Sequence, residues 1–108
     1  QALQAIRRFL SYLPSHNMEP PPEHPVPAGS DEACRKIFDI LPESRNKVYD
    51  VRKIIAAVAD KDSLFELKER FGKSVSTVLA RVDGKTTGFI ANNPMFKGGA
   101  LDADAVQK

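Results

Sequence analysis

The chain has 108 residues, 42% hydrophobic and 28% charged, a balance that suits one small soluble domain. Its 16 basic residues against 14 acidic ones leave a formal charge of +2, too weak a field to call for nucleic acid or an anionic membrane. A single cysteine, Cys34, excludes an internal disulfide and suits a reducing, cytoplasmic setting, and no run is long and apolar enough for a transmembrane helix.

In chain order, Leu3, Ile6, Phe9, Leu10 and Leu13 recur every three or four positions, with Arg7 and Arg8 on the other side, so an amphipathic helix is expected up to Pro14. The run from Glu19 to Pro27 is dense in proline, which lacks an amide donor and fixes φ, and should form an extended, polyproline-like connector. Ser30 followed by Asp31 and Glu32 reads as a capped helix start, with Ala33, Ile37, Phe38 and Leu41 as its apolar stripe and Pro42 as its end. A second start falls at Asp50, with Val51, Ile54, Ile55 and Val58 at helical spacing and the 60–63 cluster as the exit turn.

The pattern then changes to strands. Residues 64–67 read as a short strand that Glu66 could place at an edge, and 75–82 with 85–91 form two β-rich runs around Asp83-Gly84. That dipeptide is favoured in a type I′ turn, whose two central residues need positive φ, so a tight hairpin is predicted. Asn92-Asn93-Pro94 then breaks the strand, Gly98-Gly99 gives a permissive backbone, and Asp102 is placed to cap a helix that runs to the end of the sequence.

Five pieces occur in order: Tyr49-Asp50-Val51-Arg52, residues 62–66, residues 80–85, residues 88–94 and Gly99-Ala100-Leu101-Asp102. Together they resemble the biotin-dependent acyl-CoA carboxyltransferases, the family of the propionyl-CoA and acetyl-CoA carboxylase β subunits, and residues 9–14 with the proline-rich run resemble the connector between the two halves of such proteins. The resemblance implies an α/β fold, a partial crotonase-like (ββα) one. Residues 1–48 would be the helical, proline-rich connector, and 49–108 the start of the C-terminal carboxyltransferase domain, truncated at its C-terminus.

It also implies a chemistry: transfer of a carboxyl group from carboxybiotin to the α-carbon of an acyl-CoA. Biotin would ride on a partner protein or domain, with a biotin carboxylase and a biotin carboxyl carrier as partners and a homo-oligomer as the parent assembly. The family's transfer uses backbone N–H pairs to hold the enolate and ureido oxygens; the glycine-rich segments supplying them are expected outside this chain, so the fragment alone is expected to be inactive and to bind no cofactor itself. The decarboxylase branch of the same family and a non-catalytic interaction module are the alternatives. Many relatives read Asn-Gln-Pro where this chain has Asn92-Asn93-Pro94, and the sequence does not specify the acyl group.

No catalytic residue is assigned. The candidate substrate- or biotin-lining loop is Asn92, Asn93, Pro94, Lys97, Gly98 and Gly99, because it joins a strand to a helix start and its glycines let a ligand approach the backbone. Lys97 could meet a phosphate or a carboxylate there. His16 and His24 fit no compact metal motif, Cys34 flanks an apolar stripe with no histidine at a motif spacing, and Glu66 and Asp83 have no partner visible in the sequence; all are read as structural, and no metal is expected.

Overall fold

A computed structural model describes residues 1–44 and 47–108. Its centre is a three-stranded antiparallel sheet of β1 (Phe65–Leu67), β2 (Val75–Val82) and β3 (Lys85–Asn92), with β2 in the middle. Asp83 and Gly84 sit at φ 54° and 76°, and Val82 pairs with Lys85, so the predicted two-residue hairpin forms at the predicted place.

One sheet face carries the core. Val78 and Ala80 of β2 pack with Ile55 and Ala59 from the helix α4 (Val51–Val58) and its end, and Leu64, Phe89 and Ala91 close around them. The helix begins where expected: Asp50 is extended and its side chain accepts the Arg52 N–H at 3.0 Å, an N-cap bond that satisfies one of the free amides of the first turn.

The second face is partly covered. Register sets Phe65, Leu67, Thr77, Leu79, Gly88 and Ile90 on this side. Helix α1 (Ala2–Leu10) and the turn after it cover the Phe65 end, where the Phe9 and Tyr12 rings lie 6.0 and 6.1 Å from that of Phe65. Ile90, at the other end, is 83% exposed.

The sequence pattern places the apolar stripe of α1 correctly but not its docking side. Leu3, Ile6, Leu10 and Leu13 are exposed, Phe9 is the member of the stripe that packs on the sheet, and the helix is held from the Arg8 side as well. Arg8 donates to the Leu64 carbonyl at 2.6 Å, the Tyr12 hydroxyl donates to the Ser63 carbonyl, and the Arg81 guanidinium lies 4.3 Å over the Tyr12 ring while donating to Ser11 Oγ at 3.0 Å.

The next helix differs from expectation too. Gly29, at φ 91°, is the residue before α2 (Ser30–Arg35), and Ser30 is already helical; its hydroxyl donates to the Pro27 carbonyl and accepts the Lys61 N–H, both at 3.1 Å, instead of capping. The helix breaks at Lys36 before α3 (Ile37–Ile40), which turns the stripe: Ala33, Ile37 and Leu41 are half-buried, whereas Phe38 is 82% exposed. Both short helices pack on α4. Residues 20–27 carry no helix or strand, and the His24 N–H donates to the Gly84 carbonyl at 2.9 Å, tying the proline-rich run to the hairpin turn.

Candidate functional site

The loop between β3 and α5 (Ala103–Gln107) is a closed structure with one open corner. Asn92, the last residue of β3, donates from Nδ2 to the Gly99 carbonyl at 2.6 Å and so ties the two ends of the loop together. Inside it the Phe96 N–H reaches the Asn93 carbonyl at 3.2 Å, and the Gly99 N–H reaches the Phe96 carbonyl at 2.9 Å. Lys97, Gly98 and Gly99 follow one another at φ 52°, 62° and 81°, a left-handed turn that glycine enters without steric cost and lysine does not.

The structure separates the two glycines. Gly99 is buried, and a Cβ on it would lie 3.4 Å from that of Asn92. Gly98 is exposed, and a Cβ on it would meet nothing within 4 Å. Of the two glycines, Gly98 is therefore the one whose backbone faces open space.

Lys97 is already engaged. Its ammonium pairs with the Asp102 carboxylate, and that hydrogen bond raises the lysine pKa and lowers that of the aspartate. Asp102 also accepts the Ala105 N–H at 2.8 Å, so it caps α5 as the sequence predicts and holds Lys97 back toward the helix. Beside this corner lies an open cleft lined by Gly72, Lys73, Ser74, Met95 and Phe96, in which the Lys73 ammonium sits 5.6 Å over the Phe96 ring.

Asn93 points the other way, into the fold, and is 1% exposed. Its Nδ2 donates to Asp50 Oδ1 at 3.0 Å and its Oδ1 accepts the Met95 N–H at 3.2 Å, while its backbone N–H donates to the Ser74 carbonyl at 2.7 Å. Asp50 is in turn clamped by Arg52, with Nη2 2.7 Å from Oδ2, and Arg52 Nη1 lies 3.5 Å from Glu66 Oε2. The Arg52 fork holds the Asp50 carboxyl below the usual carboxylate range, and Asp50 raises Arg52 in return. Of the six loop residues, Gly98 is thus outward, Lys97 is paired at the rim, Asn92 and Gly99 close the loop, Pro94 is half-buried and Asn93 anchors it from beneath.

Elsewhere, Cys34 is exposed, not set in the apolar layer. His16 pairs with Glu19 at 3.4 Å, and among the described residues no group of three or more His, Cys, Asp or Glu is placed to hold a metal ion. Among the described residues no helix is long and apolar enough to cross a membrane. Sequence reasoning missed Asn93's inward turn and the link from Asp50 to Glu66; its one available signal is the Asp-x-Arg spacing at the helix start.

A mixed fold of this kind, with a ββ hairpin followed by a loop and a capped helix, is that of the carboxyltransferases. The chain belongs to the carboxyl transferase domain family, whose pattern matches residues 1–108. It is 33% identical over 108 residues to the propionyl-CoA carboxylase beta chain of Roseobacter denitrificans, covering all of this chain and 21% of that one. It is 35% identical to the methylmalonyl-CoA decarboxylase subunit alpha of Propionigenium modestum, covering 95% of this chain and 20% of the relative. Among solved structures, transcarboxylase 12S superposes with a TM-score of 0.86 at 32% identity over 96% of this chain and 20% of its own. The chain thus spans about a fifth of the length of these proteins.

Proposed function

We propose that this segment serves a biotin-dependent acyl-CoA carboxyltransferase, with residues 1–48 as the connector and 49–108 as the opening of the C-terminal half. The loop of Asn92, Asn93, Pro94, Lys97, Gly98 and Gly99 borders the place where acyl-CoA or carboxybiotin lies. The observation that carries this reading is the left-handed turn that sets the Gly98 backbone in open space just before a capped helix. A flat ring or a thioester can come within hydrogen-bond distance of a backbone only where no side chain intervenes.

Carboxybiotin is a substrate here, delivered on a carrier: its N–carboxyl bond breaks, the carboxyl group joins the α-carbon of the thioester, and the proton that the α-carbon loses is taken up by the biotin nitrogen. Negative charge develops on the thioester oxygen and on the ureido oxygen during transfer, and fixed N–H dipoles stabilise it. This chain's own part is to hold the rim: Asp102 keeps the Lys97 ammonium beside α5, Asn92 fixes the span of the loop, and Gly98 leaves the approach clear. The whole protein acts in the cytoplasm as a homo-oligomer with a biotin carboxylase and a biotin carrier; the hexamer assembly described for transcarboxylase 12S supports the oligomer.

The test uses the full-length protein with biotin carboxylase, biotinylated carrier and labelled bicarbonate, and follows label into acetyl-, propionyl- and longer acyl-CoA. Label in a thioester is expected. The decarboxylase relative favours a second reading, in which a carboxylated acyl-CoA gives its carboxyl group to biotin; transfer only in that direction would establish it. Absence of transfer in both directions rejects the family chemistry for this protein.

A further inference from the structure

We infer that Asn93 is a positioning residue for carboxyl transfer: it fixes the Gly98 corner from beneath by joining the loop to the capped start of α4. The inference rests on the reading of that loop as the border of the substrate site.

The side chain is 1% exposed and both of its polar atoms are used. Nδ2 donates to Asp50 Oδ1 at 3.0 Å, and Oδ1 accepts from Met95 N at 3.2 Å and lies 3.5 Å from Val51 N. Among side chains of this size and shape the pattern needs an amide, because the carboxylate of aspartate could not donate to Asp50 and leucine could neither donate nor accept. The receiving carboxylate is itself immobilised: Arg52 grips it through Nε at 3.0 Å and Nη2 at 2.7 Å, and reaches Glu66 on β1. The corner that meets substrate is therefore referenced to a helix start and a strand through one buried amide. The outer residues of the loop have lighter holds: a Cβ at Gly98 would touch nothing, Lys97 pairs with the neighbouring helix cap, and Gly99 is tied back to Asn92 at the end of β3. Loss of the Asn93 link should let residues 94–99 shift while the hairpin and α4 stay folded.

The experiment uses the full-length carboxyltransferase carrying this segment, with Asn93→Ala, Asn93→Gln and Gly98→Asn. Activity is expressed per folded molecule, with KM measured for the acyl-CoA and for the biotin carrier and amide hydrogen exchange read across residues 75–99. Asn93→Ala is expected to lower kcat by about 10- to 100-fold, the scale of a displacement on the order of 1 Å at a reacting centre, and to speed exchange in 94–99 but not in 75–92. Asn93→Gln, which keeps the amide, should recover most of the kcat. If Asn93→Ala cannot be obtained folded, Asp50→Ser tests the same link, since serine still caps α4 but does not reach Asn93, and the same loss of kcat is expected.

Full kcat per folded molecule in Asn93→Ala, or in its Asp50→Ser substitute, overturns the inference. Gly98→Asn adds a side chain that tolerates positive φ and projects into the open corner, so it tests the site reading separately. A lowered activity there beside a silent Asn93→Ala leaves the site reading standing and the positioning role rejected. If Gly98→Asn is silent and Asn93→Ala alters only exchange, both are rejected.

Discussion

The Asp60 carboxylate accepts the backbone N–H of Gly84 at 2.7 Å, and its other oxygen accepts that of Asp83 at 3.1 Å, so one side chain satisfies both amides of the hairpin turn. Asp60 is 6% exposed and its own N–H donates to the Arg81 carbonyl at 2.7 Å. Replacing it by alanine leaves buried donors without partners. Asp60→Ala is expected to cost about 2 to 3 kcal/mol in urea unfolding, and Asp60→Asn less, because one acceptor oxygen remains.

The same turn is pressed from the other side by the proline-rich run. A Cβ on Gly84 would drive into the His24 carbonyl oxygen, and φ there is 76°. Gly29 also has positive φ, at 91°, yet a Cβ on it would meet nothing within 4 Å. Each change to valine carries the left-handed strain of about 1 to 2 kcal/mol, but only Gly84→Val adds a backbone clash. Its melting temperature should fall clearly further than that of Gly29→Val, and equal shifts would contradict the observed contact.

Acid should weaken the fold through Asp50 only below the ordinary carboxylate range. Its pKa is lowered, chiefly by the side-chain hydrogen bond from Arg52, so the native state binds fewer protons than the unfolded chain near the ordinary carboxylate pKa. Its stabilisation is complete above the unfolded value of 3.8 and is lost as pH falls through the depressed native value. Arg52→Lys, which gives up the two-pronged contact, should lower stability at neutral pH and move the acid-unfolding midpoint to higher pH, with its difference from the parent shrinking as pH falls below 3.8.

Tyr12 is 1% exposed, and its hydroxyl donates to the Ser63 carbonyl. Tyr12→Phe should cost about 1 kcal/mol, while Tyr12→Ala should cost about 3 to 5 kcal/mol by opening the space between Phe65 and Arg81. Denaturant unfolding monitored by circular dichroism separates the two.

The 108-residue chain by itself should transfer no carboxyl group to an acyl-CoA, even with biotin carboxylase and carrier supplied, because it spans about a fifth of its relatives. Turnover near that of a whole carboxyltransferase would contradict this.

The features legible in the sequence are those decided by neighbours along the chain. Asp83-Gly84 sets its own backbone sign, and Asp50 and Asp102 reach amides two and three residues on, so all three stand where the sequence predicts. Ser30 is not the cap because Gly29 takes the position before the helix and the Ser30 hydroxyl is engaged by Pro27 and Lys61, and Phe38 left the stripe because the helix breaks at Lys36. In the loop, glycine content alone could not tell inward Gly99 from outward Gly98, since the difference lies in how Asn92 closes the turn. Asn93 looked like a surface turn residue for the same reason: its partner lies 43 positions away.

Because α1 is bound to the sheet through Arg8, Ser11 and Tyr12 and keeps Leu3, Ile6 and Leu10 outside, its two faces answer to different selective pressures. Substitutions among the three polar anchors are constrained by the Phe65 and Arg81 side chains that they pack against, whereas the backbone carbonyls of 62–64 accept from them whatever side chains those positions carry. Changes among the three aliphatic positions are free of that constraint, and any drift there will track whatever surface those residues meet. The helix can therefore diverge on one side while its attachment is preserved, a separation that a helix buried by its apolar stripe does not have.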